Sequence, residues 1–235
     1  MSVQFPSVAE AASLIADPAR AAMLMALVDG RALPAGELAY SAGVTAQTAR
    51  SHLACLLDGG LLVVEQEGRH RYYRLAGAEV AEALEKLAAI RPSGPLRRKA
   101  LTSEARELSF ARCCYDHLAG RLGVAVTEAL TGRDFLLPAE NKTFEVTPAG
   151  GAWFVGVGVD VAALKPTRRG LARQCLDWTE RSHHLAGPLG AAFLHALCGK
   201  GWLCRSRSSR AVNVTPMGQA ELKRTLDVDA RAGAL

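Results

Sequence analysis

The stretch HLAGRLGVAVTEALTGRDFLL, beginning at His117, returns at His184 as HLAGPLGAAFLHALCGKGWLC, with eleven of twenty-one aligned residues identical. Agreement of this length at one offset marks a supersecondary unit used twice, and it constrains the second half of the chain more than any single motif does. Both copies run on through a polar segment into a β-type run, FEVTPAG at 144–150 and VNVTPMG at 212–218. The offset grows from 67 to 68 residues, so one residue has been gained in the turn between. Each copy predicts a helix, a hairpin and a second helix, with Thr147 or Thr215 as N-cap and the following proline in the first helical position. The repeat therefore covers 117–150 and 184–218, and the expected fold class is mainly α with small β-hairpins, an α+β arrangement.

With 235 residues, 49% of them apolar, the chain can form one large domain or two small ones. The segment RPSGPLRRK at 91–99 has the composition of a boundary, which gives domains at 1–92 and 93–235. Charge divides along the same line. Residues 1–92 hold eight Lys/Arg against ten Asp/Glu, net −2, and the remainder twenty against thirteen, net +7. Such a balance permits nucleic-acid binding without demanding it, so a claim for the first domain must rest on local placement. No secretory signal is visible, and the longest apolar run, AWFVGVGV, is ended by Asp160, too short for a membrane span. Six cysteines in such a chain read as free thiols in a reducing compartment, and the expected location is the cytoplasm.

The first domain is legible from its caps. Ser7 with Glu10 has capping-box spacing, Asp17-Pro18 opens a second helix running to Gly30, and a third follows Pro34 and stops near Gly43. The passage ELAYSAGVTAQTARSHLACLLDGGLL has the form of a helix-turn-helix, with Thr45 capping a helix to about Asp58. Ala49, Leu53, Leu56 and Leu57 turn inward, with Val44 buried at the edge, while Gln47, Thr48, Arg50 and Ser51 stay outward near the N-terminus. Such side chains reach base edges and phosphates when a helix enters the major groove. LLVVEQEGRHRYYRL then reads as a hairpin about Glu67-Gly68 whose second arm carries Arg69, His70, Arg71 and Arg74. A basic hairpin in that position is a wing for phosphate or minor-groove contact.

Residues 7–91 resemble the ArsR-type winged helix-turn-helix transcriptional repressors, through Ser-His-Leu at 51–53, Leu-x-x-Gly-Gly-Leu-Leu at 56–62, and Glu-Gly-Arg-x-x-Tyr-Tyr-Arg-Leu at 67–75. The resemblance implies a homodimer paired through the first helix and the helix at 79–90, bound to double-stranded DNA at an inverted-repeat operator. Expected DNA contacts are Thr45, Gln47, Thr48, Arg50, Ser51, His52, Arg69, His70 and Arg71. Val80, Leu84, Leu87 and Ala88 support pairing independently, as an apolar stripe longer than a small core requires. Many members of the family sense metals through cysteines in the helix before the recognition helix. Here that helix, PAGELAYSAG, has neither cysteine nor histidine, and the helix at 79–90 lacks the His and Asp ligands that other members place there. Cys55, within HLACLL, reads as a small core residue.

A signal is then expected in the second domain, whose repeated unit has the shape of half a winged helix. Cys113, Cys114, Asp116 and His117 crowd one stretch; Cys175, Asp177, His183 and His184 form a second group. Read as helix, Cys113 and His117 stand i, i+4 on one face, a spacing for sulfur and nitrogen on one metal. Candidate metal ligands are Cys113, Cys114, His117, Cys175 and His184, converging at the axis of the duplication to take a soft metal, a metalloid or a thiol-reactive signal. Against this, Cys114 stands three residues before its histidine and Cys175 nine before, so duplication explains the histidines but not the thiols. Structural histidines bonded to a carbonyl or an aspartate remain the bland reading. A small organic effector is the third, in an apolar site drawn from Tyr115, Asp116, Phe135, Trp153, Trp178 and Trp202. No nucleophile motif, phosphate loop or zinc-hydrolase spacing is present, so an enzyme using Cys/His chemistry is the alternative from another class; an architectural DNA-binding protein without a ligand is a further one. The leading expectation is a ligand-responsive regulator that is not an enzyme and needs no membrane.

Overall fold

The computed structural model describes residues 8–67, 70–90, 103–207 and 209–231. Ser7, Gly68, Arg69 and the segment 91–99 lie outside the described residues. The chain divides into two compact units, Met1–Leu84 and Glu85–Leu235.

The first unit runs α1 (Val8–Ile15), α2 (Pro18–Ala26), β1 (Leu33–Pro34), α3 (Ala35–Ala42), α4 (Ala46–Asp58), β2 (Leu62–Glu67), β3 (His70–Leu75) and most of α5 (Ala78–Ala88). The Asp17 carboxylate accepts from the Arg20 backbone N–H at 2.9 Å, which opens α2 with Pro18 in its first turn. Gly43 takes φ 64°, a left-handed conformation that ends α3 and turns the chain toward α4. The Thr45 hydroxyl then accepts from Thr48 N–H at 3.2 Å and caps α4. Ala49, Leu53 and Leu56 of α4 are fully buried with Met23, Leu24 and Leu38. Each large aliphatic chain so buried contributes about 1.5–3 kcal/mol. Val44 and Leu57, expected inside, are only half-buried. The three-stranded antiparallel sheet has the order β1-β3-β2, and its outer hairpin pairs Glu67 with His70 at the tip. In contrast to α4, α1 buries none of its residues although Val8, Ala11, Ala12 and Ile15 are apolar.

The second unit holds the last turn of α5 and then α6 (Ser103–Phe110). Two equivalent runs follow. The first is β4 (Arg112–Cys114), β5 (His117–Ala119), α7 (Gly120–Thr131), β6 (Leu136–Ala139), β7 (Thr143–Val146) and α8 (Pro148–Gly156). The second is β8 (Arg173–Leu176), β9 (His183–Ala186), α9 (Gly187–Gly199), β10 (Leu203–Arg205), β11 (Val212–Val214) and α10 (Pro216–Leu226). The predicted helix, hairpin and Thr-Pro helix are all present, and Thr147 and Thr215 each accept from a glycine N–H, Gly150 or Gly218, at 3.0 Å. The repeat is nevertheless larger than the sequence indicated, because a short hairpin precedes each first helix. Each histidine therefore sits in a strand and not at a helix start.

The two copies exchange strands. The hairpin β6-β7 of the first joins β8-β9 of the second in a four-stranded sheet, through Thr143 opposite Arg173. Reciprocally, the segment entering β11 bridges β4, with Ala211 opposite Arg112. Phe144 N–H to Ala172 and Val212 N–H to Ala111, both 3.0 Å, are the matching pair of bonds. The helices cross over in the same way. A Cβ on Gly123 of α7 would lie 3.6 Å from His184 Cβ, and one on Gly190 of α9 would lie 3.2 Å from His117 Cβ. The duplicated Leu-Gly pair is thus the seam at which each helix meets the other copy's histidine strand, an approximate two-fold relation with both histidines beside its axis.

Candidate functional site

Two places in the molecule carry chemistry. The first is the outward side of α4. Thr45, Gln47, Thr48, Arg50 and Ser51 are exposed, opposite the buried Ala49–Leu53–Leu56 face. Thr48 shares its hydroxyl with Thr45 at 2.9 Å, so the first turn is ordered by its own cap. His52 departs from the expected DNA-facing set. It is largely covered, with Nε2 3.9 Å from the Asp17 carboxylate, because its position on α4 faces the start of α2. On the wing, His70 and Arg71 are exposed, and the Arg71 guanidinium lies 5.7 Å from the Tyr73 ring centroid. Arg74 is drawn along the sheet to Glu65, and Arg69 lies outside the described residues.

The second place is buried in the duplicated unit. Cys114 pairs with His117 across β4-β5, and Cys175 pairs with His184 across β8-β9. The thiols are therefore equivalent after all. The first hairpin turns through Tyr115 and Asp116, while the second runs from Asp177 to Ser182 before rejoining, and this insertion is what makes the spacing from cysteine to histidine unequal. Cys114, His117 and His184 are buried and Cys175 is half-buried. One donor atom from each of the four falls within 4.8 Å of the others. His117 Nε2 and His184 Nε2 are 3.1 Å apart, and the two sulfurs 4.0 Å apart. Cys113 does not join them. Successive strand residues point to opposite faces, and Cys113, opposite Leu118, belongs to the hydrophobic core with Leu122 and Leu185.

Carboxylates stand behind both imidazoles. Asp116 Oδ1 is 3.0 Å from His117 Nδ1. Asp177 Oδ2 is 3.5 Å from His184 Nδ1, an ion-pair distance without a hydrogen bond. Asp177 is fully buried and heavily engaged. It accepts a bidentate pair from Arg112 at 2.8 and 2.9 Å, and backbone N–H groups of Gly120 at 2.7 Å and Thr179 at 2.9 Å. Burial alone would raise its pKa, but the Arg112 guanidinium, Thr179 and His184 outweigh this and hold it well below the usual carboxylate range. Burial likewise pushes His117 down, yet Asp116 and Cys175 overcome it and raise the imidazole to about 9. The hydrogen bond between the thiols makes Cys175 the more acidic of the two, helped by His117 and His184 against desolvation, while the same bond and burial raise Cys114. The cluster thus gathers two cysteine sulfurs and two imidazoles around one small volume.

The aromatic residues do not form the expected single apolar pocket. Phe135 stacks on Trp153 with centroids 5.6 Å apart, and Trp153 and Phe154 both pack on Phe193. Trp202 is buried and, with Trp153, walls an open groove of about 510 Å³ that includes neither Tyr115, Asp116 nor Trp178. Trp178 lies under Arg112, whose guanidinium carbon is 4.7 Å from the ring centroid. Tyr115 takes φ 57° in the tight turn before His117, a structural position. Asp116 acts on His117 and Trp178 on Arg112, so both serve the buried polar group. Sequence reasoning missed Arg112 as its anchor, since a lone arginine entering a strand carries no signal of burial.

A helix-turn-helix domain family matches residues 15–65. The chain is 42% identical over 223 residues to YdfF of Bacillus subtilis (strain 168), an uncharacterized HTH-type transcriptional regulator, covering 95% of this chain and 98% of that protein. The HTH-type transcriptional regulator CmtR of Mycobacterium tuberculosis (strain ATCC 25618 / H37Rv) is 44% identical over 73 residues, 31% of this chain and 61% of CmtR. The NMR structure of the cadmium metal-sensor CMTR from Mycobacterium tuberculosis aligns with 41% of this chain and 99% of that one, at 34% identity and a TM-score of 0.32. Among the described residues, no helix is long and apolar enough to cross a membrane.

Proposed function

Since the chain belongs to the HTH-type transcriptional regulators, we propose that it is an effector-responsive repressor of the ArsR type that binds an inverted-repeat operator as a homodimer. The observation that carries this reading is α4, capped by Thr45, with Gln47, Thr48, Arg50 and Ser51 exposed on the side away from the core. An arginine in that position makes a bidentate contact to guanine O6 and N7, and a glutamine does the same for adenine. Exposed His70 and Arg71 on the wing are suited to the flanking phosphates. Dimer formation is supported by α1, which is apolar yet has no fully buried residue, and by Leu87 and Ile90, which are 48% and 70% exposed at the end of α5. The signal is received in the second unit, where the buried Cys/His cluster favours a soft cation, metalloid or thiol-reactive agent over an apolar organic molecule.

Gel-shift titration against the chain's own promoter region tests the assignment. Arg50→Ala should lose the preference for operator over random DNA, by about 1–3 kcal/mol at the contacted base pair. Arg71→Ala should weaken binding to all sequences alike and lower the salt dependence. An Arg50→Ala protein with unchanged operator affinity would remove α4 from the interface.

A further inference from the structure

We propose that Cys114, His117, Cys175 and His184 form a tetrahedral site for one thiophilic divalent cation of the zinc group, built at the seam of the duplication and held by two thiolates and two imidazole Nε2 atoms. The dimensions fit. With bonds of about 2.3 Å to sulfur and about 2.0–2.1 Å to nitrogen, a tetrahedral centre sets its sulfurs about 3.8 Å apart and its nitrogens about 3.4 Å apart. The observed separations are 4.0 Å and 3.1 Å. The nitrogens are also the right ones. Asp116 occupies the Nδ1 side of His117, and Asp177 stands toward Nδ1 of His184, so both Nε2 atoms turn to the centre. A carboxylate behind a ligating histidine fixes its tautomer and strengthens it as a donor.

Construction of the site argues in the same direction. Each copy supplies one cysteine and one histidine, paired directly across a short hairpin. Gly123 and Gly190 leave room for the opposite histidine at the crossing, where a Cβ would also strike Leu118 or Leu185 carbonyl oxygen at 2.6 Å. The buried Arg112–Asp177 pair pins the start of the loop that follows Cys175 to the strand that carries Cys114. Two thiolates neutralise a divalent charge, so the loaded site adds no net charge to a buried position. Thiolate donors select zinc and cadmium over magnesium or calcium, which take oxygen. The regulatory role of this cation rests on the function proposed above, but the binding itself does not.

The test is titration of the reduced, chelator-treated full chain with Co²⁺ and Cd²⁺, without DNA. We expect one equivalent per chain, visible Co²⁺ bands of a tetrahedral sulfur–nitrogen centre, and displacement by Zn²⁺ but not by Mg²⁺. Cys175→Ser and His184→Ala should lose these bands, and Cys113→Ser should keep them, since that thiol faces the core. Asp116→Asn, altering a half-exposed side chain behind His117, should remain folded by circular dichroism and bind about 10–100-fold more weakly. Unaltered bands in Cys175→Ser would overturn the site, as would no uptake by a chain whose thiols all titrate as free. A Cys114–Cys175 disulfide under mild oxidant, with no cation bound by the reduced chain, would also overturn it and leave a thiol switch instead. Operator affinity measured with and without Cd²⁺ then tests the regulator reading separately, because uptake with no change in affinity leaves the site standing and removes its role as effector seat.

Discussion

Gly150 and Gly151 are neighbours in the first turns of α8, yet they have opposite reasons to be glycine. A Cβ on Gly150 would stand 2.0 Å from the Phe135 carbonyl oxygen, while one on Gly151 meets nothing within 4 Å. Gly218, the counterpart of Gly150 in the second copy, would place its Cβ 1.9 Å from the Trp202 carbonyl oxygen. The glycine of the repeated Thr-Pro-x-Gly thus lets the helix start touch the residue that opens the preceding hairpin, and Phe135 and Trp202 are themselves counterparts. Gly150→Ala should destabilise the chain by about 1–3 kcal/mol or more, through forced backbone movement. Gly151→Ala should stabilise it by up to about 1 kcal/mol, because alanine gives up less backbone entropy in a helix. Urea midpoints of the two variants at equal slope would show the opposite signs; two equal shifts would contradict the packing described.

Elements with local signals are legible in the amino-acid sequence itself. Asp17-Pro18, Gly43 and Thr45 mark helix ends by their own backbone chemistry, and the spacing of Ala49, Leu53 and Leu56 follows from helical period alone. Pairing across space leaves no such trace. Strands β4 and β5 are three residues each, too short for a two-residue period, and RCCYDHLAG runs directly into α7. That is why Cys113 and His117 read as one helical face when the histidine's true neighbour is Cys114. The same limit hides the equivalence of the thiols, because a hairpin register is unaffected by the length of its loop while sequence spacing is not. At α5 the periodic stripe is real but only part of it is buried. Leu84 is 3% exposed and serves the core, whereas Leu87 is 48% exposed. Leu87→Glu should therefore leave the unfolding midpoint nearly unchanged and shift sedimentation of the proposed dimer toward monomer, with operator affinity falling in parallel. A fully dimeric Leu87→Glu protein would exclude this turn of α5 from the pairing surface.

At the scale of the whole chain, α5 is shared, since it begins in the first unit and its last turn belongs to the second. Within the second unit that end is held twice. Arg210 pairs with buried Glu85 at 3.4 Å, and the Arg181 guanidinium donates to the Ala89 carbonyl. Arg181 takes φ 62° in the loop that leaves Asp177, and this loop joins the strand of Cys175 to that of His184. A cation drawing Cys175 and His184 together acts on both ends of this loop, and so on the residue that grips the end of α5. If α5 also carries the dimer surface, the spacing of the two recognition helices becomes a property the cation can bias, and coupling between such sites is typically about 1–3 kcal/mol. Arg181 is exposed and touches none of the proposed ligands, so Arg181→Ala should take up Cd²⁺ as the unaltered chain does and bind the operator normally when chelated. What it should lose is the difference between those two states, read as convergence of the operator affinities measured with and without Cd²⁺. Retention of the full difference would mean that the signal reaches α5 by another path, with Glu85 and Arg210 the next pair to separate.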